Sequence, residues 1–360
     1  MIGVYIHIPF CRTICPYCDF VKRPLKGAVP SAFIAALARE IESCPRPRSV
    51  DSVFFGGGTP SLLAFDDLRE IMNAVRRTFH VTPSAEITLE ANPDDVTDDL
   101  VRMWGDAGIN RVSLGVQSFN DEALRYLGRR HDADVARAAC ATVARHFPNW
   151  NLDLIFGVPP VDAWRSTLSE AAAAGPTHVS AYGLTYEPDT PFGKRKAEAI
   201  DDDTYLAQYD AAVELLADFA RYEVSNFARP GCESVHNLHY WRNDEYAGFG
   251  PGAYSFLDTV RARNHPNPVE YVKAPGEKSE SLRLSDEEIR IETVIQHLRL
   301  AQGILRSEYC ARFERSIDED FGAVLGELRQ RDLIVDDGER LRPTPLGFVL
   351  NNEIGLALVS

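Results

Sequence analysis

The chain has 360 residues, of which 45% are hydrophobic, and it carries a formal net charge of −15. This length and composition predict a globular protein with a substantial core, built as one large domain with an appendage or as two ordinary domains. The acidic balance disfavours sequence-independent binding to nucleic acid or anionic lipid. The start, MIGVYIHIPF, has no basic region or cleavage site, and no apolar run approaches the roughly 18 to 20 residues that span a bilayer, so we expect a cytoplasmic location.

Short apolar, β-branched runs alternate with helical patterns through the first half of the chain. The predicted strands are Val4 to Ile8, Val53 to Phe55, Ile87 to Leu89, Val112 to Val116, Leu152 to Phe156 and Val179 to Leu184. Stretches such as AFIAALAREIES and ADVARAACATVARHF are typical of the amphipathic helices that would connect them. The alternation predicts six parallel strands joined by right-handed crossovers, which is most of a βα barrel.

The last third of the chain has a different pattern. A loop-rich, aromatic stretch runs from about Tyr222 to Tyr271, and it is followed by two helical patterns, DEEIRIETVIQHLRLAQG and FGAVLGELRQRD, and by LIVDDGERLRPTPLG, which predicts a hairpin. We therefore expect a small, α-helical, winged-helix-like domain at the C-terminus. The predicted domains are a barrel over 1–221, a connecting region over 222–284 and the helical domain over 285–360.

Each predicted strand ends in an unusual polar or glycine-rich segment. These segments are HIPFCRTICPYC, GGGTP, EANPDD, GVQSFN, DLIFG and GLTYEPDTPF. Taken alone, GGGTP is as typical of a tight loop as of a ligand cradle. Because the carboxyl ends of parallel barrel strands meet at one mouth, we expect all of these segments to form a common site.

Three cysteines, Cys11, Cys15 and Cys18, follow the first strand in a Cys-x3-Cys-x2-Cys pattern. The odd total of seven cysteines, without a signal peptide, argues against a disulfide framework. Clustered thiolates suit zinc or an iron–sulfur cluster. A structural zinc site needs four ligands, and no second Cys or His pair at suitable spacing follows nearby, so a cluster with one open iron is favoured over zinc.

CRTICPYC matches the signature of the radical S-adenosylmethionine (SAM) enzymes. More narrowly, the chain resembles the oxygen-independent coproporphyrinogen III oxidase family, and most closely its branch of HemW-type haem chaperones. The segments that carry the resemblance are YIHIPFC, CPYCDF, FFGGGTPSLL, EANP, RVSLGVQSFND, LGRRH, NLDLIFGVP and HNLHYW. They run from Tyr5 to about Tyr254, and the similarity continues more weakly through the tail. The resemblance implies an α/β fold, a partial (β/α)6 radical-SAM barrel.

The resemblance also implies the cofactors. Cys11, Cys15 and Cys18 would hold a [4Fe–4S] cluster, and SAM would chelate the fourth iron. The positions that match the SAM pocket are Tyr5, Tyr17, Gly57, Gly58, Thr59, Glu90, Gln117, Arg129 and Asp153. An aromatic ring can pack on adenine, glycine permits close approach, and a carboxylate accepts from ribose hydroxyls. Some of these positions belong to a second SAM in the oxidase, so whether a second SAM binds here stays open.

The segment HNLHYW resembles the His-Asn-x-x-Tyr-Trp haem motif of the chaperone branch, which implies haem binding through His236, Tyr240 and Trp241. On its own, such a segment is more often a half-buried aromatic edge than a cofactor site. Two departures disfavour the oxidase. Phe20 occupies the position of the oxidase's fourth cysteine, and only ten residues precede Cys11, where the oxidase has a substantial extension.

These features predict a haem chaperone that delivers haem to haem-accepting apoproteins, with an electron donor as a further partner. One alternative is an enzyme, the oxidase itself, which decarboxylates a porphyrinogen with SAM; whether this chain is an enzyme stays open. Another is a cluster-bearing regulator whose tail recognises a macromolecule, although the acidic balance disfavours nucleic acid. No transmembrane segment is expected, and peripheral contact with a membrane stays open.

Overall fold

The fold, described by a computed structural model for residues 1–45 and 48–359, centres on a sheet with six parallel strands in consecutive order. These strands are β1 (Ile2–Ile8), β2 (Ser49–Gly57), β3 (His80–Ala91), β4 (Arg111–Gln117), β5 (Trp150–Phe156) and β6 (His178–Gly183). Each contains or overlaps one predicted strand, so the six-strand prediction is confirmed. The sheet does not close on itself, and the barrel is therefore partial.

Helices connect the strands and cover the outer face of the sheet. The first seven are α1 (Ser31–Glu42), α2 (Phe65–Thr78), α3 (Asp98–Asp106), α4 (Asp121–Tyr126), α5 (Ala133–His146), α6 (Ala163–Ala173) and α7 (Asp202–Leu215). Short 3-10 turns span Pro60–Leu62, Pro93–Asp95 and Phe192–Glu198. Across the described ranges, no helix is long and apolar enough to cross a membrane.

Both faces of the parallel strands are covered, and β1 illustrates how. Val4, Ile6 and Ile8 are fully buried in the main hydrophobic core. Because side chains alternate along a strand, Tyr5 and His7 point to the opposite, inner face of the sheet. The outer face is thus apolar, whereas the inner face carries the polar side chains that the strand ends bring together.

The region 222–284, predicted as a loop-rich connection, and the two residues before it contribute strands to both edges of the sheet. One edge carries β7 (Ala220–Arg221) and β8 (Asn226–Ala228), and the other carries β9 (Tyr246–Phe249), β10 (Tyr254–Leu257), β11 (Val260–Asn264) and β12 (Lys278–Arg283). β9 pairs parallel with β1, and β10 to β12 form an antiparallel meander. These strands are short and partly polar, so their pattern alone does not distinguish them from loops. Between β8 and β9 lies α8 (Val235–Trp241), and α9 (Pro268–Lys273) follows β11.

The C-terminal unit has its own core, formed by residues such as Val294, Leu325 and Leu341. Its helices are α10 (Asp286–His297), α11 (Arg306–Phe313), α12 (Ile317–Gln330), α13 (Pro345–Val349) and α14 (Asn351–Val359). A three-stranded sheet completes it, with β13 (Ile304–Leu305), β14 (Ile334–Asp336) and β15 (Arg340–Pro343). β14 and β15 are antiparallel, which confirms the predicted hairpin.

One buried carboxylate connects α1 to the edge of the sheet. Glu40 is 4% exposed, and it accepts hydrogen bonds from the Gly250 amide at 2.9 Å, from Asn264 Nδ2 at 2.6 Å and from the Tyr271 hydroxyl at 2.5 Å. Burial raises the pKa of Glu40, while these donors and the Lys278 ammonium oppose the rise. Gly250 also abuts β1, since a Cβ there would lie 2.4 Å from the His7 carbonyl oxygen.

We predict that Glu40→Ala lowers the free energy of unfolding by about 3 kcal/mol or more, because it leaves several buried donors without an acceptor. Glu42→Ala on the same helix is the matched control. Its carboxylate forms an exposed ion pair with Arg77, and such pairs contribute about 0 to 1 kcal/mol. Urea denaturation of both variants measures the difference. Equal stability of Glu40→Ala and Glu42→Ala would contradict the role of this network.

Candidate functional site

The three cysteines lie on the loop that leaves β1. Cys11 is buried, and its carbonyl accepts from the Leu25 amide at 2.8 Å, which closes the base of the loop. The Cys18 amide donates to the Cys15 carbonyl at 3.2 Å, so the second and third thiols lie on one tight turn. All three line a single cavity. Among the residues that the structure describes, no three His, Cys, Asp or Glu side chains form a site for one metal ion. Three thiols on one loop are the type of donor set that an iron–sulfur cluster binds.

Arg129 connects the cysteine loop to the ends of β3 and β4. Its guanidinium donates to Cys15 Sγ at 3.4 Å, to Asn92 Oδ1 at 2.6 Å and to the Gly115 carbonyl at 2.8 Å. These three bonds fix the guanidinium between the second cysteine and the two strand ends. Sequence comparison placed Arg129 at the SAM pocket; in the structure it also contacts the cysteine loop.

An ion pair also holds the cysteine loop in place. The Arg12 guanidinium lies 2.8 Å from Asp95 Oδ1, and the Ser61 hydroxyl donates to Asp95 Oδ2 at 2.8 Å. Burial raises the pKa of Asp95, whereas Ser61 and Arg12 lower it. Arginines thus hold the loop on both flanks and leave the thiols facing the cavity.

Gly57 and Gly58 form a close-packed turn at the end of β2. Gly57 has a φ of +105°, and a Cβ there would lie 2.4 Å from the His7 ring; a Cβ on Gly58 would lie 2.7 Å from the Phe10 carbonyl oxygen. Only glycine fits these two positions. The Gly57 amide donates to Glu90 Oε2 at 3.1 Å, and Asn92 Nδ2 lies 3.3 Å from the Thr59 hydroxyl. The turn therefore presents backbone and hydroxyl groups next to the cysteine loop.

Two half-buried carboxyl groups, Glu90 and Asp153, face the same cavity, which has a volume of about 490 Å³. Burial raises the pKa of Glu90 to about 8, and the neighbouring Asp153 carboxylate contributes to the rise. Asp153 accepts from the Ser113 hydroxyl at 2.9 Å and from Asn151 Nδ2 at 2.8 Å, and burial raises its pKa as well. Their remaining lone pairs are suited to the hydroxyl and ammonium groups of a ligand.

The structure brings the predicted cluster and SAM residues together, with one exception. The residues that line the cavity are Cys11, Cys15, Cys18, Tyr17, Gly57, Gly58, Thr59, Glu90, Gln117, Arg129 and Asp153. The exception is Tyr5, which lies one layer below, stacked on Phe54. Its hydroxyl bonds to His7 Nδ1 at 3.0 Å, and His7 Nε2 donates to the Val21 carbonyl at 2.7 Å. Because burial lowers the pKa of His7 to about 4, the ring is neutral and Tyr5 is the donor.

The sequence predicted that GLTYEPDTPF, the segment after β6, joins the common site, but it singled out neither Tyr182 nor Phe192 as a site residue. Tyr182 lines the cavity next to Asp153. The Phe192 amide donates to the Pro16 carbonyl at 3.1 Å, and the Phe192 ring packs on Tyr17. The alternation of β6 could have identified Tyr182 as inward-facing. The packing of this segment on the cysteine loop agrees with the predicted meeting of the strand ends, whereas no local pattern specifies the contact between Phe192 and Tyr17, which depends on the fold.

The predicted haem motif forms α8, which lies against the inner face of β1 and β2. His236 is 1% exposed and stacks on Phe54 with ring centroids 5.1 Å apart. Its Nδ1 is 3.0 Å from the Ser52 hydroxyl, and its Nε2 is 2.9 Å from the Tyr240 hydroxyl. Burial lowers the pKa of His236 to about 3, so the ring is neutral. The motif is outside the six strands in sequence, but in space it fills the half-barrel below the cavity, with both imidazole nitrogens engaged.

The other motif histidine, His239, lies between two carboxylates. Its Nε2 is 2.7 Å from Asp51 Oδ1, and its Nδ1 is 3.4 Å from Asp244 Oδ2. Although burial lowers the pKa of His239, Asp244 and Asp51 outweigh it and raise the pKa to about 9. His239 is therefore charged near neutral pH, in contrast to His236.

This ion pair predicts a pH-dependent contribution to stability. A histidine has a pKa near 6.5 when unfolded, so a folded pKa of about 9 stabilises the native state fully below pH 6.5 and progressively less as the pH rises through 9. The difference in unfolding free energy between the wild type and His239→Gln should thus shrink from pH 6 toward pH 9.5. Asp51→Asn should weaken this dependence. A difference that stays constant with pH would argue against the charged state.

Sequence profiles match two parts of the chain. The Radical SAM superfamily matches residues 5–168, and the HemN C-terminal domain matches residues 284–350. Among solved structures, the coproporphyrinogen III oxidase HemN from Escherichia coli superposes with a TM-score of 0.86 over 99% of this chain and 89% of that one, at 23% identity. This confirms the expected α/β fold.

Curated relatives match along nearly the whole chain. Heme chaperone HemW of Lactococcus lactis is 33% identical over 98% of this chain and 96% of its own length, and that of Mycobacterium tuberculosis is 37% identical over 98% and 93%. Heme chaperone HemW of Escherichia coli is 40% identical over 70% of this chain and 69% of its own length. The cysteine loop, the cavity and the partial barrel agree with these similarities, and the chain belongs to the HemW family within the radical SAM superfamily.

Proposed function

We propose that this protein binds a [4Fe–4S] cluster, SAM and haem in the cytoplasm and delivers haem to acceptor apoproteins. The observation that carries the proposal is the combination, in one chain, of HemW-type similarity over nearly its full length with a three-thiol loop that lacks a fourth cysteine. Phe20 stands where the oxidase has that cysteine, and its side chain is 63% exposed. The relatives are heme chaperones, which supports haem as the cargo.

The cluster would be held by Cys11, Cys15 and Cys18, with the fourth iron left to SAM. When bound, such a cluster would supply reducing chemistry toward SAM, and an external electron donor would be required for it. Arg129 holds Cys15 in position, because its guanidinium donates to the sulfur atom at 3.4 Å. These residues thus prepare the loop to hold a metal cluster.

SAM would occupy the cavity of about 490 Å³ beside the cysteine loop. Glu90 would accept hydrogen bonds from the ribose hydroxyls, and the glycines at positions 57 and 58 would allow the methionyl group to approach the backbone. Tyr17 offers an aromatic face at the rim, next to Arg129. Gln117, Arg129 and Asp153 supply further polar groups around the same space.

Haem would be ligated by His236, with Tyr240 and Trp241 as apolar surface for the macrocycle. A neutral imidazole is the form that ligates iron, and burial keeps His236 neutral. However, both of its nitrogens form hydrogen bonds inside the half-barrel. Ligation therefore requires that one of these partners, Ser52 or Tyr240, be exchanged for iron.

The test of the cofactor site separates the cluster from SAM. We expect Glu90→Ala to weaken SAM binding by about 1 to 3 kcal/mol, because ligand hydroxyls lose a half-buried acceptor, and to leave the iron content unchanged. Cys15→Ala, in contrast, should lose the iron. Iron and sulfide analysis after anaerobic reconstitution, with titration calorimetry of SAM, measures both. The assignment of Glu90 fails if its removal also removes the cluster or leaves SAM affinity unchanged.

The test of the haem site uses His236→Gln, whose amide can still bond to Ser52 and so spares the fold. We expect weaker haem binding and an altered Soret band, with iron–sulfur absorbance and SAM binding retained, since removing an axial ligand changes only the haem iron. An unaltered haem spectrum and affinity would refute His236 as the ligand. Decarboxylation of coproporphyrinogen III by the wild-type protein at an enzymatic rate would favour the oxidase alternative instead.

A further inference from the structure

The beginning of α8 is attached to the interior of the half-barrel. Glu86 Oε1 accepts from the His236 amide at 3.3 Å and lies 3.5 Å from the Ser234 hydroxyl. Arg111 Nε lies 3.7 Å from Glu86 Oε2, and both side chains are buried. This end is surrounded by protein, and releasing it would leave a buried carboxylate without its donors.

The other end of α8 is held by the C-terminal unit. On α11, Arg312 donates from Nη1 to the Arg242 carbonyl at 2.9 Å and from Nη2 to the Asn243 carbonyl at 2.6 Å. Asn243 Nδ2 donates to the Thr293 hydroxyl of α10 at 3.1 Å. The last carbonyls of a helix have no partner within the helix, so side chains from outside commonly cap them. Here the cap comes from a separate unit with its own core.

A further contact joins the same two parts. The Arg299 guanidinium lies over the Trp241 ring, 4.5 Å from its centroid, and 3.7 Å from the buried Glu223 carboxylate. The two ends of the haem motif therefore contact different parts of the molecule. His236 is bonded to the interior of the half-barrel, and Trp241 contacts the C-terminal unit.

We propose that Arg312 is a positioning residue through which the C-terminal unit holds α8 in the half-barrel. The two hydrogen bonds from Arg312 to the Arg242 and Asn243 carbonyls are called the clasp below. His236 reaches haem only when the clasp opens. The inference rests on the proposed haem function and assigns a role to the C-terminal unit. It follows from His236 being 1% exposed with both nitrogens engaged, while Arg312, the side chain that caps the helix, is itself exposed. Water can replace an exposed guanidinium, so the Arg312 cap is the contact at this end that exchanges at low cost, and Tyr240, whose hydroxyl occupies His236 Nε2, lies toward the same end.

The first measurement needs no haem. Hydrogen–deuterium exchange over residues 235–244 is compared between the wild type, Arg312→Gln, Arg312→Lys and Arg315→Gln. Arg315 is the matched control, because it is an arginine of the same unit that bonds to Asp320 at 2.7 Å. We expect exchange about 3 to 10 times faster in Arg312→Gln, as the loss of one or two hydrogen bonds implies, an intermediate rate in Arg312→Lys and no change in Arg315→Gln. Equal exchange in Arg312→Gln and Arg315→Gln would overturn the proposal.

The second measurement follows haem association by the Soret band. If the open form is the one that binds, Arg312→Gln should associate faster by the same factor as its exchange increases, with an unchanged dissociation rate. Faster exchange with an unchanged association rate would overturn the link between the clasp and haem. If the wild-type protein binds no haem, the proposed function fails, whereas the exchange experiment still decides whether Arg312 holds α8.

Discussion

The structure depends on how the concave inner face of the half-barrel is covered, since no second sheet packs against it. Helices cover the outer face, but an open parallel sheet leaves its concave side facing either solvent or whatever the rest of the chain provides. In this protein α8 supplies the lower part of that filling. It lies so close to β1 that a Cβ on Gly3 would be 3.0 to 3.1 Å from the side chains of His236 and His239. The upper part is left as the cavity at the strand ends.

This division determines the electrostatics of the interior. Glu90 and Asp153 face the cavity, where burial raises their pKa values and where a ligand can supply donors. Deeper in the half-barrel, Glu86 lies beside Arg111 and the α8 backbone, so its charge is compensated by the protein itself. The two carboxyl groups with raised pKa values are thus the ones that a cofactor can reach, and perturbed pKa values of this kind are common in binding sites.

The same packing places two chemistries in one interior. Tyr5 stacks on both Phe54 and His236, and through His7 it connects to Val21 at the end of the cysteine loop. The proposed haem ligand and the proposed cluster loop are therefore separated by a short chain of buried side chains rather than by solvent. The C-terminal unit joins this arrangement through its contacts with the end of α8, which gives the matched HemN C-terminal domain a physical connection to the site.

Neighbouring residues and strand periodicity are enough to predict the six strands and the cofactor loop. Cys11, Cys15 and Cys18 lie within eight positions, and the glycines after β2 follow directly from a strand end, so these features depend on neighbouring residues and on strand periodicity. Three features could be seen only in the folded chain. Arg129 contacts Cys15, and the region 222–284 extends both edges of the sheet. The haem motif is buried against Ser52. Each of these contacts joins parts of the chain more than about 100 residues apart or depends on pairing with a distant strand, and the free energy that selects it comes from filling the interior of the whole fold, which no local pattern encodes.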